Sequence, residues 1–227
     1  MTDPSLDAAG GPEARLAAFA AGFKWEDIPE PVRHQAKRSI LNIFATCFSG
    51  CQEPAFDKAL ATMSPFSGER SVSLVGRSER CDPALAAFLN AMAANIFDYD
   101  DNHPSTVIHP SAPVAPALFA FAEANPRSGA ELLRAFILGA EIECRIGVAM
   151  SPYHYGRGWH ITSTCGIFGA AIGVGALLGL DRRQFVWAMG NAAAQAAGLV
   201  ETLGTMSKSV SVGNAARQGL LAALLAA

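Results

Sequence analysis

Four of the chain's five histidines fall in two short polar stretches of an otherwise apolar sequence. Residues 97–113, FDYDDNHPSTVIHPSAP, hold His103 and His109 beside Asp98, Asp100 and Asp101. Residues 151–160, SPYHYGRGWH, hold His154 and His160. A third polar stretch, GLVETLGTMSKSVSVGN, carries Lys208, the only lysine after Lys58. Lysine and histidines around one pocket bind carboxylates through charge-assisted hydrogen bonds. Crowded cations also lower one another's pKa, which brings an acid or base toward neutral pH. An aspartate beside a histidine orients the imidazole or takes a proton itself. Such a set suits removal of a C–H proton next to a carboxylate, with loss or inversion of a substituent.

Other chemistries fit the same residues less well. Aspartate and imidazole together suit zinc, manganese or iron(II), but the H-E-x-x-H and H-x-H spacings are absent and no metal is expected. No G-x-S-x-G elbow points to a serine hydrolase, and MSKSVSVGNAARQG lacks the glycines of a phosphate loop. Asp98, Asp100 and Asp101 also have a plain reading, as a solvated loop that favours the positive end of the following helix. His34 sits on an amphipathic stretch and reads as a surface residue. The five cysteines are odd in number and form no C-x-x-C pair, so neither a disulfide framework nor a zinc knuckle is expected. Cys47 and Cys51, four apart in a helical pattern, read as core. A net charge of −3 argues against a nucleic-acid surface. The N-terminus has no signal pattern, which places the protein in the cytoplasm.

The three stretches must be positioned by helices. Residues 12–23 repeat apolar positions at helical spacing (Leu16, Phe19, Phe23). Residues 31–50 carry a longer stripe of Val32, Ala36, Ile40, Ile43 and Phe44. SVSLVG is the one strand-like alternation. Asp82-Pro83 supplies an N-cap and a first-turn proline for a helix to about Phe97. Ala115–Ala124 reads as helix and ends at Asn125-Pro126. Ser128 and Glu131 form a capping box for a helix to about Ala149, and Asp181 and Gln184 form another. Residues 161–180 carry no charge and are long enough to span a bilayer. Flanking segments without aromatic belts or basic clusters favour a buried central helix, with no membrane partner. The total is eight or nine helices and almost no sheet: an all-α, compact multi-helix domain over residues 10–227, after a disordered tail at 1–9. RQGLLAALLAA stops in mid-helix without a cap, which suggests a truncated chain; a docked terminal helix is the alternative.

These residues also carry a resemblance. FDYDDNHPSTVIHPSAPVAPALFAFAE resembles the D-F-D-D-T…H-P-S motif of the MmgE/PrpD family. GWHITSTCGIFGAAIGVGALLGLD is similar to its G-W-H-x-T…G-x-F-G-A-A segment, and the stretch ending MSKSVSVGNAARQGLLAALLA to its M-S-K and A-A-R-x-G segment. Family members include 2-methylcitrate dehydratase, cis-aconitate decarboxylase and iminodisuccinate epimerase. The resemblance implies a helical domain bearing most of the active site, a homodimer, and an α/β lid domain absent from this chain. It implies catalytic roles for Asp98, His109, His160 and Lys208, and a substrate-binding wall that includes Asn102, His103, Trp159 and Thr162. Asn102 stands where the motif has threonine, an amide in place of a hydroxyl. The implied activity is a cofactor-independent lyase acting on a small di- or tricarboxylate by dehydration or decarboxylation. An epimerase sharing the first proton abstraction, or a catalytically silent helical binding and dimerisation module, are the alternatives.

Overall fold

The computed structural model describes residues 10–227, so the expected tail at 1–9 lies outside the described residues. Ten α-helices form there: α1 (Pro12–Gly22), α2 (Glu30–Gly50), α3 (Pro54–Met63), α4 (Pro83–Asn95), α5 (Ser111–Ala124), α6 (Gly129–Met150), α7 (Tyr153–Gly156), α8 (Ile161–Leu178), α9 (Arg182–Ala193) and α10 (Met206–Leu224). Two short antiparallel strands, β1 (Val72–Ser73) and β2 (Arg80–Cys81), pair Val72 with Cys81. The all-α expectation holds, with α3 and the single-turn α7 added to it.

Helix α8 is the centre. It packs against α5, α6, α9 and α10, and nearly all its residues are buried. It is long and apolar enough to cross a membrane, yet 89% of it is enclosed by the other helices. Glycines permit that enclosure. A Cβ at Gly139 of α6 would come within 2.6 Å of the Gly169 carbonyl oxygen of α8, so backbone meets backbone there. The caps are the predicted ones. Asp82 accepts from the amides of Ala84 and Leu85, and both capping boxes, Ser128/Glu131 and Asp181/Gln184, are formed.

Three expectations need correction. In α1 the buried face is Ala14, Ala17 and Ala20 and Phe19 is exposed; in α2 Ala36 and Ile43 of the expected stripe are buried with Cys47, while Val32 and Phe44 are exposed. Helix α5 starts at Ser111, four residues before Ala115. Pro113 sits in its first turn, where the missing N–H has no intrahelical acceptor to lose. Residues 206–214 are the start of α10 and not part of a loop. Thr205 caps that helix through the Ser207 amide, and close packing on α4 outweighs the poor propensity of its Ser, Val and Gly. There a Cβ at Gly213 would lie 2.7 Å from the Phe88 carbonyl oxygen.

Candidate active site

The polar residues meet where three helices begin. His160 is the N-cap residue of α8, Lys208 lies in the first turn of α10, and His109 stands two residues before α5. First-turn amides lack intrahelical acceptors and carry partial positive charge, so this placement favours anions before any side chain is counted.

Asp98 joins two of these elements. Helix α4 ends at Asn95, and Asp98 turns the chain in the left-handed region at φ 61°, where aspartate is among the better-tolerated residues. Its Oδ1 accepts from the Lys208 ammonium and lies 3.4 Å from His109 Nε2. Lys208 is 11% exposed along its side chain and Asp98 57%, so the lysine is the sheltered partner of this pair. On the other edge of the imidazole, His109 Nδ1 is 3.4 Å from Oδ1 of Asp100. Asp100 has a fully buried side chain, and its Oδ2 accepts from Asn95 Nδ2 at 2.9 Å. The His109 amide donates to Thr162 Oγ1 at 3.2 Å, which ties the motif loop to α8.

The two histidines have opposite surroundings. Burial opposes charge on His109, but Asp100 and Asp98 outweigh it and raise the imidazole above its usual pKa. His160 is buried and feels the Lys208 and His109 cations, which push it down to about 4. Asp98 resists burial through Lys208 and His109, which hold its carboxyl below the usual range. The backbone amide of His160 donates to the Gly198 carbonyl at 3.1 Å, and its Nδ1 lies 2.7 Å from Ser163 Oγ and 3.2 Å from Ser211 Oγ. An open groove of about 390 Å³ adjoins the cluster, with Asp98, Lys208, Phe97 and Met206 among its walls.

The remaining candidates fall in several places. His103 Nδ1 bonds Thr106 Oγ1 at 2.8 Å, and the His103 amide donates to the Ile108 carbonyl, so this residue shapes the motif loop. Asn102 is exposed on that loop. Thr162 is wholly buried, and its hydroxyl accepts from the His109 amide. Trp159 is half-exposed and stacks on His154, whose Nε2 lies 2.7 Å from Thr164 Oγ1. Asp101 is not a solvated loop residue: it accepts from the Ser111 amide at 3.1 Å and from the Ser111 hydroxyl, at the start of α5. Asp98, Asp100 and His109 offer ligand atoms within 4.8 Å of one another, but the Lys208 ammonium already occupies the Asp98 oxygen. All five cysteines are free thiols, and Cys47 and Cys51 are buried as expected.

Sequence reasoning missed Asn95, Ser163 and Ser211. A signal existed for the serines. Each lies three residues after a singled-out site residue, as His160-x-x-Ser163 and Lys208-x-x-Ser211, which is same-face spacing once both segments are helical.

The domain gathers a sheltered lysine, two histidines and an aspartate at three helix starts. The chain belongs to the MmgE/PrpD family: the family's N-terminal domain matches residues 14–227. It is 33% identical over 239 residues to a cis-aconitate decarboxylase of Aspergillus terreus, covering 100% of this chain and 48% of that protein. It is 34% identical over 218 residues to the human cis-aconitate decarboxylase, covering 93% of this chain and 45% of that protein. The mouse cis-aconitate decarboxylase is 31% identical over 218 residues, with 93% and 44% covered. The chain therefore spans about half the length of these relatives.

Proposed function

We propose that this protein is a cofactor-independent lyase that binds a small di- or tricarboxylate and moves a proton at the carbon next to a carboxylate. The observation that carries the reading is the pair of histidines with opposite electrostatics beside one sheltered lysine. Environments that push two titratable groups apart assign an acid and a base. Lys208 and protonated His109 anchor substrate carboxylates, and the α5, α8 and α10 N-termini add to the field. Neutral His160 accepts the proton. Asp98 holds Lys208 and His109 at a fixed separation, so the cations need not reorganise as charge develops on the substrate.

Removal of the proton leaves a carbanion stabilised by the bound carboxylate. Protonated His109 then gives its proton to the hydroxyl on the neighbouring carbon, the C–O bond breaks with loss of water, and the alkene of a dehydration forms. In a decarboxylation, the carbon that loses CO2 takes a proton instead, and His109 is the charged donor within the cluster. The relatives, which carry the name cis-aconitate decarboxylase, support decarboxylation of a tricarboxylate as the specific case. Two further parts of the reading are a homodimer and a cytoplasmic setting. Leu41, Phe44 and Phe48, exposed at helical spacing along α2, support the first, and free thiols suit the second.

Calorimetric titration with cis-aconitate and citrate tests the anchoring. Lys208→Ala is expected to weaken binding at least about tenfold, the loss of one charge-assisted contact. Equal affinity in wild type and variant overturns the assignment.

A further inference from the structure

We propose that Ser163 and Ser211 are positioning residues that fix His160 as its Nδ1–H tautomer, so that Nε2 carries the lone pair. The geometry forms a chain of four groups. His160 Nδ1 lies 2.7 Å from Ser163 Oγ, Ser163 Oγ lies 3.1 Å from Ser211 Oγ, and Ser211 Oγ lies 2.7 Å from the Lys208 carbonyl oxygen. A carbonyl only accepts, so the Ser211 proton is committed to it. The Ser211 oxygen is then free to accept from Ser163, and the Ser163 oxygen to accept from the ring. In this direction every donor in the chain has an acceptor, and each bond polarises the next.

The competing direction has Ser163 donate to Nδ1. It would place the ring proton on Nε2 and take the Ser163 proton from both of its oxygen acceptors, Ser211 Oγ at 3.1 Å and the His160 carbonyl oxygen at 3.2 Å.

The serines are held for this task. Ser163 is buried in the first turn of α8. Gly198 covers it in a left-handed conformation at φ 135°, and a Cβ there would lie 2.2 Å from Ser163 Oγ. The Gly198 carbonyl also receives the His160 amide, so one backbone segment orients both histidine and serine. Because Ser211 bonds the carbonyl of Lys208, the histidine and the anchoring lysine share one network across α8 and α10. The consequence for turnover rests on the reading of His160 as the base.

Nitrogen-15 NMR of the ring nitrogens in histidine-labelled protein at pH 7 tests the inference without substrate. The expected result is a protonated Nδ1 and an unprotonated Nε2 for His160, moving toward Nε2–H in the Ser163→Ala/Ser211→Ala double variant. Ser211→Thr, which keeps the hydroxyl, is expected to retain the wild-type pattern. Thermal melts of the three proteins verify that they are folded. With a turned-over carboxylate, the double variant is expected to lose kcat by about 10- to 100-fold with little change in KM, as for a misoriented base. A protonated Nε2 in the wild type, or an unchanged tautomer in the double variant, overturns the inference whatever the activity. A protonated Nδ1 that shifts in the double variant with kcat unchanged upholds the tautomer assignment and removes His160 from the role of base.

Discussion

Replacing Glu143 by glutamine isolates the least comfortable group in the core. Glu143 lies on α6 with no exposed surface, and neither carboxylate oxygen has a hydrogen-bond partner. Its oxygens face the positions where Gly166 and Gly169 of α8 lack a Cβ, at 3.2 and 2.8 Å from ideal Cβ sites. Burial, reinforced by the Asp101 carboxylate, raises its pKa well above the usual range, so the folded protein holds this group as a neutral acid. The unfolded chain releases that proton above about pH 4.3. The folded state then binds more protons than the unfolded one, and stability falls as pH rises through that window. The slope is about 1.4 kcal/mol per pH unit for one proton.

Glutamine cannot ionise, so Glu143→Gln removes this slope and leaves every other titration in place. The amide lacks partners too, and its cost of roughly 1–3 kcal/mol is independent of pH. The stability of the variant relative to wild type is therefore expected to improve steadily as pH rises above about 5, by roughly 1 kcal/mol per pH unit while the folded-state group keeps its proton. Urea unfolding followed by circular dichroism at several pH values measures the difference. Parallel curves for the two proteins across that range would refute the assignment of a neutral, unpartnered glutamic acid.

Other predictions follow from the same contacts. His160→Ala and Lys208→Ala are each expected to abolish turnover while the helical signal and melting temperature stay close to wild type; near-normal activity in either contradicts the site. Activity should persist well below the pH at which an ordinary histidine base is lost, because His160 lies at about 4. It should decline on the alkaline side as His109, raised by Asp100 and Asp98, loses its proton, and a pH–rate profile shows both limbs. Stability contributed by His109 follows the same sign: it is present below about pH 6.5 and lost as pH rises through the raised folded value. Gly139→Ala is expected to destabilise the domain by about 1–3 kcal/mol or more, since its Cβ would meet the Gly169 backbone, which yields poorly. Thermal denaturation reads that loss directly.

Much of the molecule was legible in its sequence, for identifiable reasons. Caps carry side-chain signatures, so Asp82, Ser128 and Asp181 mark helix starts before any coordinates exist. An uncharged run as long as α8 has few options, and burial at the centre is one of them. The clustering of histidine and aspartate marked the motif loop as a candidate site, and the resemblance to the MmgE/PrpD motif singled out Asp98 and His109 within it. What stayed hidden depends on packing. The start of α10 reads as loop because Ser, Val and Gly are weak helix formers, and only contact with α4 shows why they form a helix there. Without that helix, the three-residue spacing of Lys208 and Ser211 has no meaning. Phe19 and Phe44 misled for the opposite reason: large apolar residues suggest a core, whereas α1 buries only alanines and α2 buries Ala36, Ile43, Thr46, Cys47 and Gly50. Asn95 was invisible because its role depends on the path of the chain from α4 to Asp100.

Proton NMR in D2O, with the purified protein incubated with cis-aconitate, citrate, 2-methylcitrate and aspartate-derived dicarboxylates, tests the central claim most directly. The account predicts a new alkene or a decarboxylated product from a member of this panel, absent with His160→Ala. Exchange of an α-proton with inversion alone, or silence across the panel, contradicts the lyase reading.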